Sequence, residues 1–176
     1  IGVAWGTTLA AITSHVKARD VSGTTVVQLN GGANGLTSGI PYVGSILSGL
    51  AAAWNSQIVL FPVPAFFDFA ETRAAMWRER SVQSVLAVQR SADFAVFGVG
   101  SLRADVPSHV YTAGYLVDDD MVLLREDRVV GDICTVLLRE DGSWQDVKLN
   151  KRASGLNPFE LQRIPRRFCV AAGASK

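Results

Sequence analysis

Ile1-Gly2-Val3-Ala4-Trp5-Gly6-Thr7-Thr8 decides the fold, because it reads as a short buried strand that turns through Gly6 into the start of a helix. Leu9, Ile12 and Val16 then recur at helical spacing, which predicts a helix over Leu9 to Arg19 with Thr7 and Thr8 at its entrance. A helix entrance after a glycine turn presents backbone amides that lack internal partners. The helix dipole adds a positive partial charge there, so an anion such as a phosphate suits the place. The same residues also fit a plainer role, in which Thr7 or Thr8 caps the helix and binds nothing.

Moving outward, the corner is repeated along the chain. Thr24 to Leu29 is a β-rich run that ends in Asn30-Gly31-Gly32, followed by Asn34 and Gly35. From Pro41 to Asn55 the apolar residues Val43, Ile46, Leu47, Leu50 and Trp54 keep helical spacing, with Pro41 suited to a first turn. Gln57 to Phe61 reads as a third strand, closed by Pro62 and Pro64. Two short helices, broken near Ser81, fill Phe69 to Ser91, and Asp93 to Phe97 forms a fourth strand ending in the glycine loop Gly98-Val99-Gly100-Ser101. Asp118 to Glu126 reads as a helix with acidic residues in its first turn. Thr135 to Arg139 and Trp144 to Leu149 read as the arms of a hairpin about Asp141-Gly142. Asn157 to Arg163 is a brief helix with Pro158 at its start, and Arg167 to Ala172 is a last strand ending in Gly173 and Lys176.

Strands alternating with helices place the chain in the α/β class, with a largely parallel sheet and helices on both faces. In such sheets ligands bind beyond the carboxyl ends of the strands. Here those ends are the loops at Gly6, Gly31 and Gly98, together with Gly173 and Lys176. Asp132 joins them as a candidate, since it follows Gly131 in an otherwise apolar run. It reads either as a carboxylate turned to a ligand or as a plain turn residue.

Bulk composition narrows the function classes. With 48% hydrophobic and 19% charged residues, the 176-residue chain has the make-up of one globular domain over 1–176. Seventeen basic residues against sixteen acidic ones leave no net field to hold nucleic acid or an anionic membrane. Cys134 and Cys169 each sit in an apolar run and read as buried free thiols of a reducing compartment. With His15 and His109 the only histidines and no ligand pair at metal spacing, neither a metal nor a cofactor is expected. No apolar run spans a bilayer and no signal peptide opens the chain, so it reads as cytoplasmic, and its opening on Ile1 within a strand reads as a segment of a longer polypeptide.

Six stretches carry a family resemblance: Gly2-Val3-Ala4-Trp5-Gly6-Thr7-Thr8, Val27-Gln28-Leu29-Asn30-Gly31-Gly32, Phe61-Pro62-Val63-Pro64-Ala65, Gly98-Val99-Gly100-Ser101, Gly131-Asp132-Ile133-Cys134 and Ala172-Gly173-Ala174-Ser175-Lys176. In this order and spacing the chain resembles the sugar-binding effector domain of SorC-type transcriptional regulators, a group related to DeoR. The resemblance implies a Rossmann-like sheet of the sugar-phosphate isomerase and coenzyme A transferase kind, used for binding instead of turnover. It implies a helix-turn-helix for operator DNA outside this chain, further C-terminal helices, and assembly into a dimer or tetramer. Carried over by position, Gly6, Thr7 and Thr8 would hold the phosphate of a sugar effector, and Asn30 and Gly31 would close on the sugar. Asp132 would accept sugar hydroxyls, Lys176 would bring a positive charge, and Ser101 is a further candidate on the third loop. Where the family more often has two glycines, this chain has Ala172-Gly173.

Two rival readings remain. A sugar-phosphate isomerase or deaminase-like enzyme would use the same sheet, but it needs a positioned general base. Those families place an acid-rich motif after the middle glycine loop, where this chain has Ser101-Leu102-Arg103, and His109 stands without an evident partner. Dinucleotide binding lacks the complete glycine fingerprint and its downstream acid.

Overall fold

The computed structural model describes residues 1–35, 40–104 and 107–172. At its centre β1 (Gly2–Val3) pairs in parallel with β2 (Thr25–Gln28) on one edge and with β4 (Phe94–Ser101) on the other. β3 (Gln57–Val59) continues the parallel sheet from β2, and β7 (Arg166–Val170) runs parallel to β4. The expected parallel α/β sheet is therefore present. An antiparallel pair extends it: β5 (Val129–Ile133) pairs with the end of β4, and β6 (Val136–Arg139) pairs with β5.

Successive residues of a strand face opposite sides of a sheet, and the core divides accordingly. Val3, Val26 and Val96 meet Leu9 of α1 (Thr7–Thr13), Val43, Ile46, Leu47 and Leu50 of α2 (Ile40–Trp54), and Leu124 of α6 (Asp118–Glu126). Their neighbours Ala4, Ala95 and Phe97 turn the other way, onto Ile164 and onto Leu161 of α7 (Pro158–Gln162). A third cluster sets Phe61, Val63 and Phe67 against Val82 and Leu86 of α4 (Arg80–Arg90). Both faces of the sheet are thus covered by helices. Among the described residues no helix is long and apolar enough to cross a membrane.

Several local readings are corrected. The first helix stops at Thr13, well short of Arg19. Its last polar residues bond back onto it, Thr13 Oγ1 to the Leu9 carbonyl and Ser14 Oγ to the Ala11 carbonyl, while the Arg19 amide leaves to bond the Ala53 carbonyl. The two short helices expected between Phe69 and Ser91 are present as α3 (Ala70–Met76) and α4, with the break just ahead of Ser81. Gly98 to Ser101 is strand and not loop. β4 overshoots the parallel sheet, and its last residues pair with β5, Gly100 opposite Asp132 and Ser101 opposite Gly131. A Cβ on Gly131 would stand 2.3 Å from the Gly100 carbonyl oxygen, so the strands reach this spacing only because glycine is present.

The hairpin is also displaced. It closes at Cys134 and Thr135, whose φ angles of 50° and 65° are the left-handed pair that a two-residue hairpin turn requires. Asp141-Gly142 does turn the chain, with Gly142 at φ 81°, but no strand returns from it. Asn150 takes the returning strand's place: its Oδ1 accepts from the Leu137 amide at 2.8 Å and its Nδ2 donates to the Leu137 carbonyl at 2.9 Å. Cys134 is buried as expected, whereas Cys169 on β7 is exposed; both thiols are free. Trp54 is partly buried against the main core.

Candidate functional site

Beyond the carboxyl ends of β1 and β2, and against the overshooting end of β4, lies a cleft of about 120 Å³. β1 delivers Trp5, Gly6, Thr7 and Thr8 to it. Gly6 stands at the N-cap of α1 with no side-chain cap, so neither threonine spends its hydroxyl on capping. The first amides of α1 have no partner inside the helix. The bland reading of Thr7 or Thr8 as the cap is thereby removed.

β2 delivers Asn30, which is 1% exposed and lines the cleft. Its backbone carbonyl accepts from Gln28 Nε2 at 2.6 Å, and Gln28 Oε1 in turn accepts from the Phe61 amide at 3.0 Å. A buried amide thus fixes the loop after β2 to the exit of β3. Asn30 Oδ1 is left with no hydrogen-bond partner among the described residues. Gly31 is not part of the cleft wall. Its carbonyl accepts from Trp5 Nε1 at 2.7 Å, its amide donates to Ser154 Oγ at 2.9 Å, and a Cβ there would stand 2.3 Å from the Pro64 carbonyl oxygen. This glycine locks the corner that presents Asn30. The Trp5 ring, itself part of the cleft wall, stacks on Tyr115 with centroids 4.9 Å apart.

Asp132 reaches the cleft from β5 and is 5% exposed. Oδ2 accepts from the Thr135 amide at 3.2 Å, while Oδ1 makes no well-formed hydrogen bond among the described residues. Tyr111, on the short α5 (His109–Thr112), lies against this carboxylate, but its buried hydroxyl closes no well-formed hydrogen bond either. Burial pushes the Asp132 carboxyl up from 3.8 to about 6, opposed by the Thr135 amide and by Tyr111. The same burial and the neighbouring Asp132 charge push the Tyr111 phenol up, and burial raises the Cys134 thiol, which makes it a poor nucleophile. Stabilisation that a buried carboxylate would ordinarily draw from an adjacent cation is missing among the described ion pairs.

Of the residues singled out from the sequence, Gly6, Thr7, Thr8, Asn30, Ser101 and Asp132 converge on this one cleft, and Gly31 stands behind it. Lys176 and Gly173 lie outside the described residues. Unforeseen were Trp5, Gly100, Ser108, Tyr111 and Thr135. Pro107-Ser108 ahead of His109 and Val110 was a legible helix start, and Ser108 does cap α5, accepting from the Val110 amide. His109, read as an isolated residue, packs its ring 5.3 Å from that of Tyr42. Among the described residues no group of three or more His, Cys, Asp or Glu could hold a metal ion.

All 176 residues match the family described as "Putative sugar-binding domain". A solved domain of a "possible sugar-binding transcriptional regulator" from Arthrobacter aurescens TC1 is 44% identical, with a TM-score of 0.90 over 98% of this chain and 65% of that one. The deoxyribonucleoside regulator of Bacillus subtilis strain 168 is 28% identical over the whole of this chain and 55% of its own length. The full-length sorbitol operon regulator SorC of Klebsiella pneumoniae shares the fold, with a TM-score of 0.80 at 20% identity over 96% of this chain and 54% of that one. This chain therefore spans about half the length of the curated relatives it matches. With the family matched from end to end and the strand-end cleft in place, the chain belongs to the sugar-binding domain family represented among these regulators, the SorC-type group that its motifs resemble.

Proposed function

We propose that this chain is the effector-sensing domain of a cytoplasmic transcriptional regulator, and that its cleft binds a phosphorylated sugar without turning it over. One observation carries the reading: two buried acceptors, Asp132 Oδ1 and Asn30 Oδ1, belong to residues lining the same cleft and make no well-formed hydrogen bond among the described residues. A buried acceptor left unmatched costs about 1–3 kcal/mol, so the pair calls for a ligand rich in hydroxyl donors, and a sugar supplies them. The phosphate would sit at the uncapped turn Gly6-Thr7-Thr8, on free amides and hydroxyls. Lys176 and Ser101 would serve the same ligand. Binding would shift a homodimer or tetramer between arrangements that differ in affinity for operator DNA, held by a domain outside this chain; such coupling requires that the effector bind the two arrangements unequally.

The test is thermal unfolding of the chain and of Thr8→Ala across a panel of sugars and their phosphates. Ligand at a hundred times its Kd adds about 2.7 kcal/mol, a shift of roughly 5 to 11 °C for a domain of this size. Thr8→Ala is expected to weaken the phosphate that binds by about ten- to a hundredfold. A buried carboxyl near 6 is also what a general base looks like. Consumption of a sugar phosphate over time would therefore replace the sensor reading with the isomerase-like one, and a panel that shifts nothing would refute both.

A further inference from the structure

Two polar groups crowd the place that a side chain would take at Gly100. A Cβ on Gly100 would stand 2.0 Å from Asp132 Oδ1 and 2.8 Å from Ser108 Oγ, so glycine at this point of β4 leaves both groups facing the same space. Their hydrogen-bonding needs are opposite. Asp132 Oδ1 has no hydrogen bond of good geometry among the described residues, although the Tyr111 hydroxyl lies against the same carboxylate. Ser108 Oγ accepts from the Val110 amide at 3.4 Å, which occupies one lone pair, and its O–H is donated to nothing among the described residues. The two do not satisfy each other, since Oδ1 would then have a partner. Nor is Ser108 loosely placed: its amide donates to the Ser101 carbonyl at 3.0 Å and its carbonyl accepts from the Tyr111 amide at 2.9 Å, fixing α5 to the end of β4. Tyr111, from the same turn, brings a second hydroxyl against the carboxylate.

A fixed donor and a fixed acceptor, adjacent but not bonded to each other, match a vicinal diol. One hydroxyl gives its proton to the carboxylate, and the oxygen of its neighbour accepts from the serine. We propose that Ser108 determines effector specificity in this cleft, by donating to the oxygen next to the hydroxyl that Asp132 accepts, so that a sugar phosphate with both hydroxyls is chosen over one that lacks either. The inference rests on the effector reading above and adds to it the residue that reads the diol. A ligand missing one hydroxyl leaves the half-buried serine donor or the buried carboxylate acceptor unmet, and this gives a polar site its discrimination.

Calorimetric titration of the chain with matched probes tests this: ribose 5-phosphate against 2-deoxyribose 5-phosphate, glucose 6-phosphate against 2-deoxyglucose 6-phosphate, and inorganic phosphate alone. In at least one pair the intact sugar is expected to bind the native chain more tightly. Ser108→Ala should shrink that preference by about three- to tenfold, the worth of one neutral hydrogen bond, and leave the inorganic phosphate affinity where it was. Ser108→Thr, which keeps the hydroxyl and the cap, should restore the preference. Because Ser108→Ala also uncaps α5, a purely structural role would weaken both members of a pair alike; an unchanged ratio therefore overturns the proposal while the effector reading stands. Equal affinity of the native chain for both members of every pair does the same. If no sugar phosphate binds the native chain, the effector reading falls and this inference falls with it.

Discussion

Replacing Asp132 with asparagine should make the domain more stable and less able to bind, and the size of the first effect follows from burial. The carboxyl ionises near 3.8 in an unfolded chain and near 6 in the folded one, because burial opposes the charge more than the Thr135 amide and Tyr111 support it. The folded state thus holds its proton to higher pH than the unfolded state. Below about pH 4 both are protonated and the residue costs nothing; as pH rises through 6 the folded state must take on a buried charge, and stability falls by on the order of 3 kcal/mol. The substituted side chain would carry no such charge, and its amide oxygen can still accept from Thr135. Asp132→Asn is therefore expected to match the native chain near pH 4 and to exceed it by roughly 2–3 kcal/mol at pH 8, a rise of about 4 to 12 °C in Tm. Thermal unfolding of both chains from pH 4 to 8 measures this directly. Effector affinity should fall at pH 8 in the same variant, since an amide N–H cannot accept a sugar hydroxyl. A difference in stability that is independent of pH, or a variant less stable at pH 8, would refute the reasoning.

Two further substitutions separate the cleft from its scaffold. Gly100→Ala places a methyl group on Asp132 Oδ1 and Ser108 Oγ, and should reduce effector affinity by more than tenfold with about 1–3 kcal/mol of destabilisation, read by calorimetry and denaturant melts. Asn150→Ala strips the buried backbone of Leu137 of both its side-chain partners, so it should cost about 2–3 kcal/mol in urea unfolding while effector affinity stays unchanged.

The parallel sheet was legible because each short apolar run is followed by a glycine or proline and then by helical spacing, a pattern that needs no long-range knowledge. Asn30 and Thr8 could be picked out for the same reason, since each stands just past such a strand, and Asp132 because a lone carboxylate follows Gly131 in an apolar run. What escaped was decided by contacts distant in sequence. Gly98 and Gly100 look like loop formers, yet they lie in β4, Gly98 because it pairs with Val170 of β7 and Gly100 because Gly131, far along the chain, lets β5 come close. Asp141-Gly142 is the stronger turn motif, but Cys134 and Thr135 form the hairpin turn. Gly155 is packed so tightly on the Cys134 carbonyl that any side chain there would collide with it. Gly31 was placed at the ligand by position in the family resemblance, and only the carbonyls of Val63 and Pro64, which leave no room for a Cβ, explain why a glycine stands there. Tyr111 gave no local pattern at all.

Trp5 has a consequence for how the molecule can be watched. Its indole N–H is bonded to Gly31, its ring is stacked on Tyr115, and the residue forms part of the cleft wall. The protein therefore carries its own optical reporter at the binding site: with the other three tryptophans, Trp54, Trp77 and Trp144, exchanged for phenylalanine, the emission of Trp5 would follow cleft occupancy in real time, with no dye and no label on the ligand.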